Sequence, residues 1–151
     1  MKHSRGILTN STLLIVAGWL IVLSITASAR VGESRYKCTS RYGKPLKTKL
    51  TPMQLADKAY MYKVGATYLT CHFRQGKCVA VYVRTIRGSV TKALREANGK
   101  DWQEAGGKWQ TKDGSRIAVE TLSPLAGFTI YDSNFYADLQ KAKAAKASPQ
   151  F

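Results

Sequence analysis

Residues 59–86 read AYMYKVGATYLTCHFRQGKCVAVYVRTI. Aromatic and β-branched residues dominate, and Tyr60, Tyr62 and Val64 alternate with Ala59, Met61 and Lys63. Alternation with a period of two reads as strand. The stretch predicts consecutive strands that turn at Val64-Gly65 and at Arg74-Gln75-Gly76-Lys77. Helical spacing of Met53, Leu55, Ala56 and Ala59 leaves residues 52–62 open to a helix as well. With Gln75-Gly76 as a two-residue turn, Phe73 faces Cys78, Cys71 faces Ala80 and Leu69 faces Tyr82. One face then carries Leu69, Cys71, Phe73, Cys78, Ala80 and Tyr82. The other carries Tyr68, Thr70, His72, Val79, Val81 and Val83. Both are apolar enough to be covered, and one added residue in the turn would reassign the faces of one strand.

Upstream, Glu33 to Tyr42 fits a short helix, with Glu33 in its first turn and Gly43 as its C-terminal cap before Pro45. Cys38 and Tyr42 share a face at four-residue spacing. Lys44 to Pro52 reads as an extended connection, followed by one or two helical turns from Thr51-Pro52 through Asp57. Downstream, Ser89 caps a helix with Val90, Leu94 and Ala97 as its apolar stripe, stopped by Asn98-Gly99. Lys100 to Lys108 reads as a loop anchored by Trp102, with Gly106-Gly107 as a flexible pair. A second meander follows: Trp109 to Thr111, a Lys112-Asp113-Gly114 turn, Arg116 to Leu122, then Gly127 to Tyr131. Asp132 or Ser133 caps a last helix to about Ala147, with Phe135, Leu139 and Ala142 as its buried stripe. The order α-βββ-α-βββ-α places the chain in the α+β class, an antiparallel sheet from two β-meanders with three helices.

The chain has 151 residues and a formal charge of +15. Lys2, His3 and Arg5 form a positive start, residues 6–29 carry no charge, and Ala27-Ser28-Ala29 offers small residues at a cleavage point. Those are the marks of a secretory signal over 1–29, removed on export; the alternative is an uncleaved membrane anchor. The remainder, 30–151, is 122 residues, the size of one small domain. All nine acids remain, and loss of Lys2 and Arg5 lowers the charge to +13. So basic a domain outside the cytoplasm suits anionic partners. Arg30 to Lys49 concentrates seven cations against the single acid Glu33. Arg35, Lys37, Arg41, Lys44, Lys47 and Lys49 are therefore the candidate anionic-partner contacts.

Three cysteines in an oxidising compartment point to one disulfide and one leftover thiol. In the register above, Cys71 and Cys78 are diagonal neighbours about 7–8 Å apart, too far for a bridge. The expected disulfide is Cys38 to Cys78, enclosing 39 residues, with Cys71 buried and free. Cys38, Cys71, His72 and Cys78 also have zinc-ligand chemistry, but adjacent strand residues point to opposite faces, so Cys71 and His72 do not share an ion. No metal or cofactor is expected. His72 likewise faces away from Cys71 as a catalytic base. Tyr60, Tyr62, Tyr68 and Tyr82 come from neighbouring strands and read as packing, with a sugar- or base-stacking platform as the alternative.

No serine-hydrolase elbow, phosphate loop, dinucleotide turn or paired carboxylates is visible. The expected function is an exported, non-catalytic binding or envelope-associated domain. Its partner would be an anionic envelope component, a lipid headgroup or a polysaccharide, or another protein. Nucleic acid is disfavoured, and no small-molecule substrate is evident. The alternative is an extracytoplasmic enzyme or enzyme inhibitor without a recognisable motif. The intact mass of the protein from its host tests the first step: a chain starting at Arg30 is expected, and a full-length mass would mean a retained anchor.

Overall fold

The computed structural model describes residues 30–65, 67–84, 98, 101–121 and 127–147. The segment 1–29 and the helix expected from Ser89 lie outside these residues, apart from Asn98. The described chain is α+β. Helix α1 (Arg35–Tyr42) precedes strands β1 (Lys58–Val64), β2 (Thr67–Arg74), β3 (Lys77–Arg84), β4 (Trp102–Ala105), β5 (Lys108–Thr111), β6 (Arg116–Thr121) and β7 (Gly127–Asp132). Helix α2 (Ser133–Ala147) closes the order. The strands form one antiparallel sheet in the order β1-β2-β3-β7-β6-β5-β4. The two meanders meet where β3 pairs with β7, so each supplies one central strand.

Two expectations are corrected. Among the described residues there are seven strands rather than six, because 102–105 is a strand, not a loop. The Gly106-Gly107 pair that suggested flexibility is the two-residue turn of a β4–β5 hairpin, closing Ala105 onto Lys108. Both glycines have positive φ, 59° and 75°, the twist that a tight hairpin turn requires. Two of the three expected helices lie among the described residues. The alternative of a helix over 52–62 also fails: Ala56 N donates to Met53 O, Leu55 takes a φ of 69°, and β1 begins at Lys58.

Helix α1 starts later than expected. Ser34 is its N-cap, accepting from Lys37 N at 3.3 Å, and Gly43 N donates to Thr39 O at 2.9 Å at its end. Glu33 lies before the helix and pairs with Arg41 at 2.6 Å. Gly32 N donates to Cys78 O and Cys78 N to Glu33 O, at 2.7 and 2.8 Å. This short bridge ties residues 32–34 to the start of β3 and lays α1 on the sheet. Asp132 Oδ1 caps α2, accepting from Asn134 N and Phe135 N at 3.0 Å.

The register differs from the expected one by a single residue. Phe73 does face Cys78, but His72 pairs with Ala80, Cys71 with Val81 and Leu69 with Val83. Val79 is the extra residue of a β-bulge. The faces change accordingly. Val81 and Val83 join Leu69, Cys71, Phe73 and Cys78 on the core side, with Tyr60, Tyr62, Phe128 and Ile130 from the flanking strands. Helix α1 closes that side through Cys38 and Tyr42. Edge-to-face ring pairs, Tyr42–Tyr62 at 5.4 Å and Tyr60–Phe73 at 5.6 Å, fill the space between. Ala80 and Tyr82 turn to the opposite side. There Ala80 packs with Phe135 and Leu139 of α2 and with Met53 and Ala56.

At Gly127, opposite Arg84, an added Cβ would sit 2.3 Å from the Val83 carbonyl oxygen and 3.0 Å from the Tyr82 ring. Strand backbone cannot yield as a flexible side chain does. Gly127→Ala is therefore expected to destabilise the fold by about 1–3 kcal/mol, measured by urea unfolding. An unchanged midpoint would show that β3 and β7 separate more easily than this packing implies.

Candidate functional site: a cationic groove and a buried thiol cluster

The side of the sheet away from α1 is covered along only part of its strands. Helix α2 and residues 53–56 lie over Ala80 and its neighbours, and His72 and Ala59 are buried there. Two residues further along each strand, the cover stops. Met61, Thr70, Tyr68, Tyr82 and Arg84 line a groove of about 530 Å³, together with Leu46 and Lys47. Residues 46–47 reach it by pairing with the edge strand: Leu46 N donates to Met61 O and Met61 N to Lys47 O, at 2.7 and 2.9 Å. Leu46 is 57% exposed at the rim. Lys63 Nζ stands 5.8 Å from the centre of the Tyr68 ring. The described lining residues supply ring faces, aliphatic surface, hydroxyls and two cations, and among them there is no carboxylate, imidazole or thiol.

The four tyrosines thus divide. Tyr60 and Tyr62 are core, as expected of packing residues. Tyr68 and Tyr82 are half-buried and line the groove. The six expected contact cations do not form one set either. Arg41 is committed to Glu33, and Arg35 stacks on Tyr60 with its guanidinium carbon 4.6 Å from the ring centre. Lys37, Lys44 and Lys49 are exposed, and Lys47 is the member that lines the groove. Arg84, at the other end of the lining, closes a hydrophobic strand far in sequence from the cation-rich stretch 30–49.

A second hollow of about 320 Å³ lies between β3 and α2. Its acids already have tasks: Asp132 caps α2 and Asp138 pairs with Arg74 at 2.9 Å.

On the core side, Cys38 of α1, Cys71 of β2 and Cys78 of β3 converge, with their three sulfur atoms within 4.8 Å of one another. All three are buried free thiols. The structure thus brings the expected pair Cys38 and Cys78 together unbonded, and adds Cys71 to them. Cys78 keeps its expected place opposite Phe73, diagonal to Cys71, and in that place the two sulfurs still lie within 4.8 Å of each other. Hydrogen bonds from Cys71 and then Cys78 hold the Cys38 thiol well below its ordinary pKa, against its burial. The same bond to Cys38 pushes Cys71 and Cys78 up. The hydroxyl of Tyr42, one helical turn after Cys38, is buried without a hydrogen-bond partner. Burial raises its pKa, and the charges of Cys71 and Cys38 raise it further.

His72 points to the other side, as its place beside Cys71 in the strand requires. Its Nδ1 accepts from Met53 N at 3.2 Å, which leaves the ring proton on Nε2. Burial lowers its pKa to about 4, so it is a neutral structural acceptor holding residues 53–56 onto the sheet.

No protein-family model matches the chain, and no curated protein sequence matches it. Among solved structures, it is similar to a cysteine-rich secretory protein from Staphylococcus aureus at 16% identity, with a TM-score of 0.45. The match covers 73% of this chain and 47% of that one. This chain therefore corresponds to less than half of that protein.

His72 sets a pH dependence whose sign is fixed by burial. Above the ordinary histidine pKa of about 6.5 the ring is neutral folded or unfolded, and stability is at its full value. Between there and the folded value of about 4, only the unfolded chain takes up the proton. Stability is expected to fall by about 3 kcal/mol over that window, measured by denaturant titration from pH 7 to pH 4. The slope would be absent in His72→Gln; a slope retained there would assign the acid sensitivity elsewhere.

Proposed function

We propose that this chain is an exported, non-catalytic binding domain whose groove seats an anionic polysaccharide of the cell envelope. The observation that carries this reading is the groove lining, with Tyr68 and Tyr82 presenting ring surface between Lys47 and Arg84 and no acid among them. Ring faces suit the apolar faces of sugar units. The cations suit carboxylate or phosphate substituents, and Arg84 offers a planar fork that can bind them in bidentate fashion. The formal charge of +13 that remains after loss of Lys2 and Arg5 draws polyanions toward the surface before any specific contact. Export rests on the signal-like pattern of residues 1–29. The described lining residues include no carboxylate, imidazole or thiol, which favours binding over the enzyme alternative.

The test is calorimetric titration with a carboxylated oligosaccharide of defined length, repeated in high salt. The double substitution Lys47→Ala/Arg84→Ala is expected to weaken binding about tenfold, and Tyr82→Ala to weaken it at high salt as well, where charge is screened. Lys37→Ala/Lys44→Ala removes the same charge outside the groove and is expected to leave affinity nearly unchanged. Equal losses in both double variants would reduce the interaction to nonspecific charge and overturn the proposal. So would preferential binding to vesicles with anionic headgroups, which would assign the surface to lipid.

A further inference from the structure

The three buried cysteines have no part in the groove, and their arrangement exceeds what packing or a disulfide requires. A buried free cysteine behaves as a small hydrophobe and needs no second sulfur beside it. A disulfide uses two. Here three sulfurs from three different elements, α1, β2 and β3, meet within 4.8 Å. We propose that Cys38, Cys71 and Cys78 form a three-thiolate site for a soft monovalent cation, copper(I).

The dimensions fit with little movement. Even if every sulfur pair stood at the full 4.8 Å, the centre of the triangle would lie about 2.8 Å from each sulfur, about 0.5 Å beyond a metal–thiolate bond of ~2.3 Å. The donor set selects the ion. Thiolates favour soft cations, whereas a structural zinc takes four ligands. Among the described residues the cluster offers three sulfurs and nothing more, and His72, the nearest imidazole in sequence, faces the opposite side with its Nδ1 engaged by Met53. With the cysteines 0–1% exposed, the site also lacks the open access through which water commonly completes a zinc shell.

A second observation points to the same place. Tyr42 is 7% exposed and its hydroxyl oxygen has no hydrogen-bond partner, an arrangement that folded proteins avoid. It follows Cys38 by four residues, one turn of α1. No sulfur is within hydrogen-bond reach of that hydroxyl in the thiol form; a thiolate of the loaded site, more strongly accepting than a thiol, would draw it in and be oriented by it. Binding exchanges protons for metal: each thiol that ligates releases one proton, and three thiolates around Cu⁺ leave a complex of net charge −2. Occupancy therefore rises with pH. Loading takes place as the chain folds or as α1 lifts from the sheet.

The experiment is anaerobic titration of the reduced, purified full chain with copper(I) against a chromophoric copper(I) chelator. One ion per chain is expected, with X-ray absorption showing three sulfur neighbours and no nitrogen or oxygen. Tyr42→Phe should fold at least as stably as the parent, because it removes an unpaired buried group, yet bind copper(I) about 10- to 100-fold more weakly. A packing role alone would not produce that split. Cys71→Ser, checked for native fold by its amide spectrum, should lose more affinity than Tyr42→Phe, while His72→Gln should lose none. Failure to hold copper(I) against the chelator would overturn the proposal, as would parental affinity in Cys71→Ser. Isolation of the protein from its own compartment with two of the cysteines joined and no metal would also overturn it and assign the cluster to a disulfide.

Discussion

Val79 has no partner across the β2–β3 ladder, and this unpaired residue governs the rest of the arrangement. A side chain changes face with every step along a strand, so one extra residue reverses the side on which every later residue of β3 stands. Val81 and Val83 thereby reach the core beside Leu69 and Cys71, where β7 adds Ile130 and Phe128 from across the ladder. Ala80 is turned outward instead, and its small side chain lets Phe135 and Leu139 of α2 settle on the sheet. Without the bulge, the two valines would lie under α2, and a tyrosine would project toward α1.

Residues on either side of the bulge serve the two sites. On the core side the backbone of residues 32–33 pairs with Cys78, just before the bulge, and that pairing sets Cys38 over the sheet beside Cys71. On the opposite side the bulge places Tyr82 next to Tyr68 and Thr70. The groove exists there because α2 buries only its first two turns, through Phe135 and Leu139, and so covers the sheet incompletely. The thiol cluster is shut away by α1 and accessible only by local opening. The groove is open and bordered by cations. These are physically distinct environments on the two faces of one sheet, one suited to a soft ligand excluded from water and one to a hydrated anion.

Much of the architecture was legible in the sequence because it depends on neighbours in the chain. The alternation of 59–64, the Gln75-Gly76 turn, the Asp113-Gly114 turn and the capping of α2 by Asp132 each follow from a few consecutive residues. Glu33 was misplaced for an instructive reason. A carboxylate suits the first turn of a helix, but Ser34 is the better cap, and Glu33 gains more from Arg41. Gly106-Gly107 shows the limit from the other direction. Two glycines are equally consistent with a loose loop and with a tight turn, and only the pairing of Ala105 with Lys108 distinguishes them.

The sequence alone determined the α+β class, the basic character of the chain, the strand content of its organising stretch and the separation of Cys71 from His72 across a sheet. These rest on composition and on the period of two, which need no long-range information. Tertiary structure alone decided the convergence of three sulfurs and the lining of the groove. Residues 38, 71 and 78 come together through strand pairing and through backbone bonds between segments more than forty residues apart. Lys47, Met61, Tyr68, Tyr82 and Arg84 become one surface only once the sheet is paired and α2 stops short of covering it.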